Sequence, residues 1–392
     1  MKYLIMRLKR FCGFLTGFVF FISGILKLMD PTGAGLVMEE YFRFLHITFM
    51  APVAKVMGFL LALVETTVGT ALVTGVWRRA TAVAALSLQG FFTVLTLILV
   101  IFNPEMDCGC FGEAIHLTHI QTFIKNLVLC ALLAGYTVPL RALGGPKKRK
   151  YASFAIVTVS TVAFGIWSWI SIPLKDFTEF KSAAMLQAGS GTTLPDETQA
   201  PMFVYEKDGR EASFSIEELP DSTWSFVRTE AAEPDYLQHS VSLSFYDSEG
   251  IYHDEEAAKG KVMLVSIHNT QKISAKRQKK LSVFIREAEA AGFSVMVLTA
   301  GDAGHGFRAD GAEVYHADRK TLMTMNRSNG GVTYFSEGYL IRKWPVRSLP
   351  DAEDLKEIMA GDDTEVIIGH NTNGDLTLQG FLLYVFAVML LL

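Results

Sequence analysis

The sequence predicts a helical membrane bundle joined to an α/β domain that lies outside the bilayer. Three observations carry this. Half of the 392 residues are hydrophobic and mean hydropathy is +0.28, although 19% of the chain is charged. In the first half the apolar residues gather into runs near the ~20-residue length that crosses hydrocarbon. Later the pattern changes to short strands and amphipathic helices with an acidic excess, the mark of a second, aqueous solvent. The net charge of −4 gives no reason to expect a nucleic-acid partner.

Five apolar runs qualify as spans, at about 11–28, 49–73, 80–102, 120–140 and 151–172. A shorter sixth, 376–392, is expected as a C-terminal transmembrane helix. The first run has a basic start (Lys2, Arg7, Lys9, Arg10) like that of a signal peptide. No small-x-small cleavage pattern follows before Lys27 and Asp30, so it reads as a retained helix.

Loop charge predicts orientation. Lys and Arg concentrate before the first run, at Arg78 and Arg79, and at Arg141 and Lys147 to Lys150. These three segments alternate so as to share one side, the cytoplasmic one. The 103–119 loop has no Lys or Arg and carries Glu105, Asp107 and Glu113. It is expected outside, as are residues 173–375. The expected location is a bacterial inner membrane, multi-pass, with a cytoplasmic N-terminus and 173–375 periplasmic.

The exported stretch opens with a linker-like run, 189–199, rich in Gly, Thr and Pro. Two hairpins are expected next. One is 202–206 with 212–216 around Lys207-Asp208-Gly209; the other is 240–246 with 251–252 around Asp247-Ser248-Glu249-Gly250. Together they suggest a weak repeat. A clearer α/β pattern follows: strand 261–268, helix 274–291 ended by Gly292, strand 293–299, helix 320–326, hairpin 332–335 with 339–344, and helix 352–359. This order implies a small mixed sheet with helices on its faces. The expected segments are therefore 1–145, 146–175, 176–200 (linker), 201–260 (hairpin-rich), 261–362 (α/β) and 376–392.

Chemistry concentrates in few residues. Of four cysteines, Cys12 and Cys130 sit in apolar runs and read as small buried hydrophobes. Cys108 and Cys110 lie in the acidic outer loop, within Asp107-Cys108-Gly109-Cys110-Phe111-Gly112. An oxidising compartment preserves disulfides, and a ring this small is strained and so more reducible. Redox exchange, a static disulfide, and a metal or other role all stand open. His116 and His119 are near enough in sequence to complete a Cys2His2 set, but the spacing fits no standard zinc module, and no metal is expected. Glu65 is the one acid deep in a span, a functional candidate by default. Lys27 and Asp30 end the first span; snorkelling to the interface is the plain reading of Lys27.

Taken together, Ser23-Gly24-Ile25-Leu26-Lys27-Leu28-Met29-Asp30-Pro31, Glu65 with Gly69, and Cys108-Gly109-Cys110-Phe111-Gly112 resemble the DoxX-like superfamily, in particular its methylamine-utilisation MauE branch, over about residues 10–145. The resemblance implies a four-helix membrane core. It also implies disulfide formation or maturation of a periplasmic partner, working beside a thioredoxin-like protein, with Cys108 and Cys110 as the candidate catalytic pair. Lys27, Asp30 and Glu65 become structural or proton-handling groups. Under a redox reading a membrane quinone is one option for the electron acceptor, which the sequence does not identify.

The exported domain resembles a thioredoxin-like domain of the TlpA or thiol-peroxidase type through its strand-helix-strand order and terminal hairpin. It departs at the critical place. Where Cys-x-x-Cys would stand the chain reads His268-Asn269-Thr270-Gln271-Lys272, and Asn329-Gly330-Gly331 replaces the usual proline before the hairpin. With no thiolate there is no exchange nucleophile, so Asn269, Thr270, Gln271 and Lys272 form a pseudo-active loop suited to holding a partner. Two functions compete: an envelope thiol-redox protein serving an exported client, and a non-enzymatic scaffold whose cysteines brace a loop. A DsbB-like relay needs two cysteine pairs, and one is present. Expected contacts are membrane lipid and an exported protein.

Overall fold

The computed structural model describes residues 2–138, 146–182, 184–186, 202–207, 210–214, 224–230, 240–301, 312–361 and 363–391. The chain forms two compact units, Met1–Thr178 with Gly369–Leu392, and Glu179–Ile368.

The first unit is a helical bundle. Its long helices are α1 (Lys2–Met29), α3 (Ala54–Thr74), α4 (Arg78–Phe102), α5 (His119–Thr137) and α6 (Lys148–Ile170), with the shorter α2 (Pro31–Phe44) between α1 and α3. Five helical stretches are long and apolar enough to cross a membrane, the second including the 3₁₀ turn Thr48–Val53 that leads into α3. This is a multi-pass membrane protein. The last helix, α11 (Asp363–Leu391), begins earlier than the apolar pattern predicts. Its apolar part, Leu376–Leu391, is shorter than the five. It packs in the bundle, with Val385 and Met389 buried beside Phe21 and Val157. Ser153 and Lys150 donate to the Val388 and Met389 carbonyls at 2.8 and 3.1 Å.

Close backbone approach joins α1 to α3. A Cβ on Gly69 would sit 2.5 Å from the Phe21 amide nitrogen and 2.7 Å from the Gly17 carbonyl oxygen, so only glycine fits this crossing. Along α3, the hydroxyls of Thr66, Thr70 and Thr74 donate to carbonyls one turn back, at 2.7, 2.8 and 2.7 Å. These polar side chains are thereby satisfied without water.

The sequence pattern missed α2, which is too short to span. It starts where Asp30 accepts from the Gly33 amide at 2.9 Å, with Pro31 in the first turn.

The second unit is an α/β domain. Its mixed sheet has the order β6-β2-β11-β10-β7-β8-β9. The strands are β2 (Met185–Leu186), β6 (Ser240–Val241), β7 (Lys261–Ile267), β8 (Ser294–Thr299), β9 (Val314–His316), β10 (Gly331–Ser336) and β11 (Tyr339–Trp344). β7, β8 and β9 are parallel, and β10 runs antiparallel to both β7 and β11. Strand side chains alternate between two cores. Val262, Leu264, Met296, Leu298 and Phe335 face Phe180, Phe245 and Leu322. Met263, Val265, Val295, Val297 and Tyr334 face α8 (Ala275–Ala291) and α10 (Ala352–Ala360) through Leu281, Phe284, Ile285 and Leu355. Ser274 caps α8, and Gly292 ends it at φ 103°.

Local pattern and structure part company in three places. The 176–200 segment, expected as a linker, supplies β2 and the buried Phe180 to the domain; its 189–199 run lies outside the described residues. The first hairpin forms, with β3 (Met202–Lys207) paired to β4 (Arg210–Phe214), but β5 (Ser225–Glu230) adds to it in a separate three-stranded sheet. Its Asp208-Gly209 turn and residues 215 and 216 are also outside the described residues. The second hairpin shrinks to one bridge, Tyr246 with Tyr252, around a turn in which Asp247 accepts from the Glu249 and Ile251 amides at 2.8 and 3.0 Å. The two hairpins are therefore not a repeat: β6 leaves its neighbour to pair with β2 in the main sheet.

Candidate functional site: a buried polar centre beneath a Cys-Gly-Cys loop

The site lies in the helical bundle. Lys27 is in the last turn of α1, Ser23 one turn before it, and Glu65 in the middle of α3. All three are buried. The Lys27 ammonium reaches both carboxylate oxygens of Glu65, at 2.7 and 2.8 Å, and donates to Ser23 Oγ at 3.1 Å. Lys27 thus does not snorkel; its charge is answered inside the bundle. Phe92 adds its ring face 5.7 Å from the ammonium. Ser23 Oγ lies 2.7 Å from Glu65 Oε2 and 2.6 Å from the Cys110 carbonyl oxygen. Its single proton serves one of these acceptors at a time.

The cysteine loop sits directly on this centre. The Tyr41 hydroxyl of α2 donates to the Cys108 carbonyl at 2.9 Å, and Ser23 holds the Cys110 carbonyl. Both cysteine backbones are tied to flanking helices. Gly109 between them adopts φ +59°, and a Cβ there would collide with Val37. Both conditions call for glycine. Cys108 and Cys110 are free thiols, the first buried and the second half-buried, as are Cys12 and Cys130 in their helices. Burial pushes the Cys108 thiol up. Cys110 and Asp107 add to the rise, while the Thr122 hydroxyl and the Lys125 ammonium oppose it. β1 (Cys110–Glu113) carries the chain onward, and Lys125 stands 4.8 Å over the Phe111 ring.

The thiols, Lys27 and Glu65 border one cavity of about 400 Å³. Its wall is largely aliphatic and aromatic, contributed by α1 to α5 and the loop. The sequence reading overlooked several of its residues: Ser23 as a partner of the pair, Tyr41, Gln89 and Asn126. Gln89 Nε2 donates to the Asn126 carbonyl at 3.1 Å, and Asn126 Nδ2 donates to Thr96 Oγ1 at 3.1 Å. Gln89 Oε1 is buried and has no hydrogen-bond partner among the described residues. Gln89 and Thr96 in one span, with Asn126 in the next, were the available signal, since polar side chains inside a bilayer seek partners.

Asp30 stays outside this centre and caps α2. His116 and His119 do not join the cysteines in a ligand set. His119 turns its ring to Asn103 Oδ1 (3.2 Å) and the Met106 carbonyl (3.0 Å), and His116 faces Asp107 at 3.3 Å. Among the described residues no three His, Cys, Asp or Glu side chains gather as metal ligands.

In the α/β domain, Asn269 precedes a 3₁₀ turn, Thr270–Lys272, and its side chain accepts from the Lys272 amide at 3.1 Å. The Asn329 side chain closes this loop as a strand would. Its Oδ1 accepts from the Asn269 amide at 3.0 Å, and its Nδ2 donates to the Asn269 carbonyl at 2.8 Å.

These features define a multi-pass membrane protein with a dithiol loop over a buried ion pair, followed by an α/β domain with a mixed sheet. Residues 5–139 match the family model of the methylamine utilisation protein MauE, so the membrane domain is of the MauE type. Residues 200–232 match a model described as a domain of unknown function, DUF8463. No curated protein and no solved structure matches the chain.

Proposed function

We propose that this protein carries out thiol-disulfide exchange through Cys108 and Cys110 for the maturation of an exported protein. The observation that carries the reading is the loop itself: two thiols one residue apart, both backbone carbonyls held by helix side chains, on the wall of a membrane cavity. Holding both carbonyls reduces the conformational entropy lost when the two thiols join, which favours closure between them over pairing with other thiols. The match to a methylamine-utilisation family fits a maturation role.

The α/β domain is read as a thioredoxin-like partner-binding module. The order β11-β10-β7-β8 with α8 following β7 supports that reading. Its pseudo-active loop has no sulfur, so it binds and does not exchange. The loop charges support a reading in which the cysteine loop and residues 173–375 face the periplasm from a bacterial inner membrane.

Alkylation trapping of Cys108 and Cys110 in living cells tests the proposal. Oxidised and reduced forms should coexist and shift with the electron-transport state, and one of Cys108→Ser and Cys110→Ser should accumulate a mixed disulfide. Full complementation of a deletion by both variants overturns it and leaves a scaffold whose cysteines only brace the loop.

A further inference from the structure

We infer that the end of the bundle opposite the cysteine loop holds the phosphate of an anionic phospholipid between Arg10, Arg78 and Tyr136. Three helices bring these residues together. Tyr136 lies in the last turn of α5, and its ring packs on the backbone of α1: a Cβ on Gly13 would sit 2.6 Å from Tyr136 Cδ2. From α4, Ala82 and Ala85 join the same buried cluster as Tyr136. Arg10 precedes Gly13 by three positions and Arg78 precedes Ala82 by four, and such spacings keep residues on one helix face. Both arginine side chains therefore start from the faces that meet the Tyr136 ring. Their charges act on one another, and Arg78 also interacts with Tyr136 and with Tyr151 of α6.

Three features of this notch call for a lipid phosphate. First, residues 1–29, 66–102 and 114–175, which supply this end, contain no Asp or Glu, so none of their side chains offsets the paired guanidiniums. Second, the Tyr136 hydroxyl is unsatisfied. The residue is 3% exposed, and its oxygen is buried with no hydrogen-bond partner among the described residues. An O–H taken from water without replacement is a cost that an anionic oxygen removes by accepting from it. Arg10 is exposed and makes no hydrogen bond or ion pair among the described residues. Arg78 Nε donates to the Gly75 carbonyl at 3.2 Å, which fixes its guanidinium at the notch. The planar guanidinium fork matches phosphate geometry. Third, the surroundings are those of a membrane interface. Trp77 is exposed and stands edge-on to Tyr151 and Phe154, with ring centroids 5.4 and 5.2 Å away. Phe11 and Val138, each two residues or fewer from the notch in sequence, are exposed as well. The occupant therefore has an anionic head and apolar chains, as expected for a basic pocket between spans at headgroup depth.

Purified full-length protein in dodecylmaltoside is titrated with dioleoylphosphatidylglycerol. Its melting temperature should rise and saturate, while dioleoylphosphatidylcholine should leave it unchanged. Arg10→Gln alters an exposed side chain and should raise the half-saturating lipid concentration about tenfold, the loss of roughly one charged hydrogen bond. Tyr136→Phe should raise it too, yet melt no lower than wild type without lipid, because the hydroxyl removed had no partner. Arg7→Gln makes the same change of charge one turn earlier on α1, where Arg7 donates to the Tyr3 hydroxyl at 2.7 Å, and should bind like wild type. An equal rise with dioleoylphosphatidylcholine overturns the anionic head. An equal rise with inorganic phosphate at the same concentration assigns a free ion and overturns the lipid. If Arg7→Gln weakens binding as much as Arg10→Gln, or if neither Arg10→Gln nor Tyr136→Phe weakens it, the lipid answers only the overall charge of the bundle and the site is overturned.

Discussion

Glu65 on α3 turns both carboxylate oxygens to the ammonium of Lys27 on α1, and the two residues are 38 positions apart in the chain. A pair this deeply buried is neutral as a unit and costly when halved. Lys27→Met or Glu65→Gln alone should destabilise the bundle by about 3–5 kcal/mol, because one group is left unanswered. The double variant should cost clearly less than the sum. Thermal unfolding in detergent measures all three, and a strictly additive double would show that the two side chains do not act together.

Gly109 joins the two cysteines in a left-handed conformation pressed against Val37. Gly109→Ala should cost about 1–2 kcal/mol from backbone strain alone, with the Val37 clash in addition. Val37→Ala in the same chain should recover the clash and leave the strain. Melting temperatures of the two single variants and the double separate these contributions.

Cys108 should be a slow nucleophile at neutral pH. Its thiol is raised by burial first and by Cys110 and Asp107 after that, so less thiolate exists at any given pH than for a free cysteine near ~8.5. Iodoacetamide labelling of Cys108, followed by peptide mass spectrometry, should reach half its maximal rate above that pH. A midpoint below it would mean that the loop activates this sulfur.

The α/β unit should fold by itself when expressed as residues 179–368, in reducing buffer, since its two cores contain no cysteine. A fragment starting at 201 loses β2 and Phe180 and should melt lower or fail to fold. Leu264→Ala in the longer fragment should cost about 2–5 kcal/mol. Circular dichroism decides each case.

In the same fragment, a histidine cluster should shape stability against pH. His253 Nε2 faces Asp247 at 2.9 Å, and its Nδ1 faces Glu256 at 2.9 Å. Asp247 and then Glu256 raise the His253 pKa, and the His253 hydrogen bond is the largest cause lowering that of Asp247. The raised histidine stabilises fully below its unfolded value of ~6.5 and loses that as pH rises through its folded value. The lowered aspartate stabilises above its unfolded ~3.9 and loses that as pH falls through its folded value. The melting temperature of wild type relative to His253→Asn should therefore be greatest between about pH 4 and 6.5. A difference independent of pH would remove the ion pairing from the account.

Much of this protein was legible one segment at a time. Apolar runs of membrane length locate the spans, because crossing hydrocarbon is a demand on local composition. The short, nearly continuous apolar run at 261–268 and the amphipathic 274–291 segment locate β7 and α8 for the same local reason. The loop position of Cys108 and Cys110, and the isolation of Glu65 in a span, are also plain in the chain. What the sequence left open was which groups meet. Lys27 reads equally as an interface anchor until the α1–α3 crossing, set by Gly17 and Gly69, brings it to Glu65. Ser23 and Tyr41 become the holders of the cysteine loop only because α1 and α2 converge beneath it. Residues 185–186 and 240–241 become strands only because the edge of the main sheet offers them partners. A hydrogen bond or an ion pair needs two groups within about 3 Å, and periodicity along one segment carries no information about the other segment. The chain by itself determined the spans, the strand and helix order and the place of the thiols; the tertiary structure decided the Lys27–Glu65 pair and the cavity, because both depend on contacts between elements far apart in sequence.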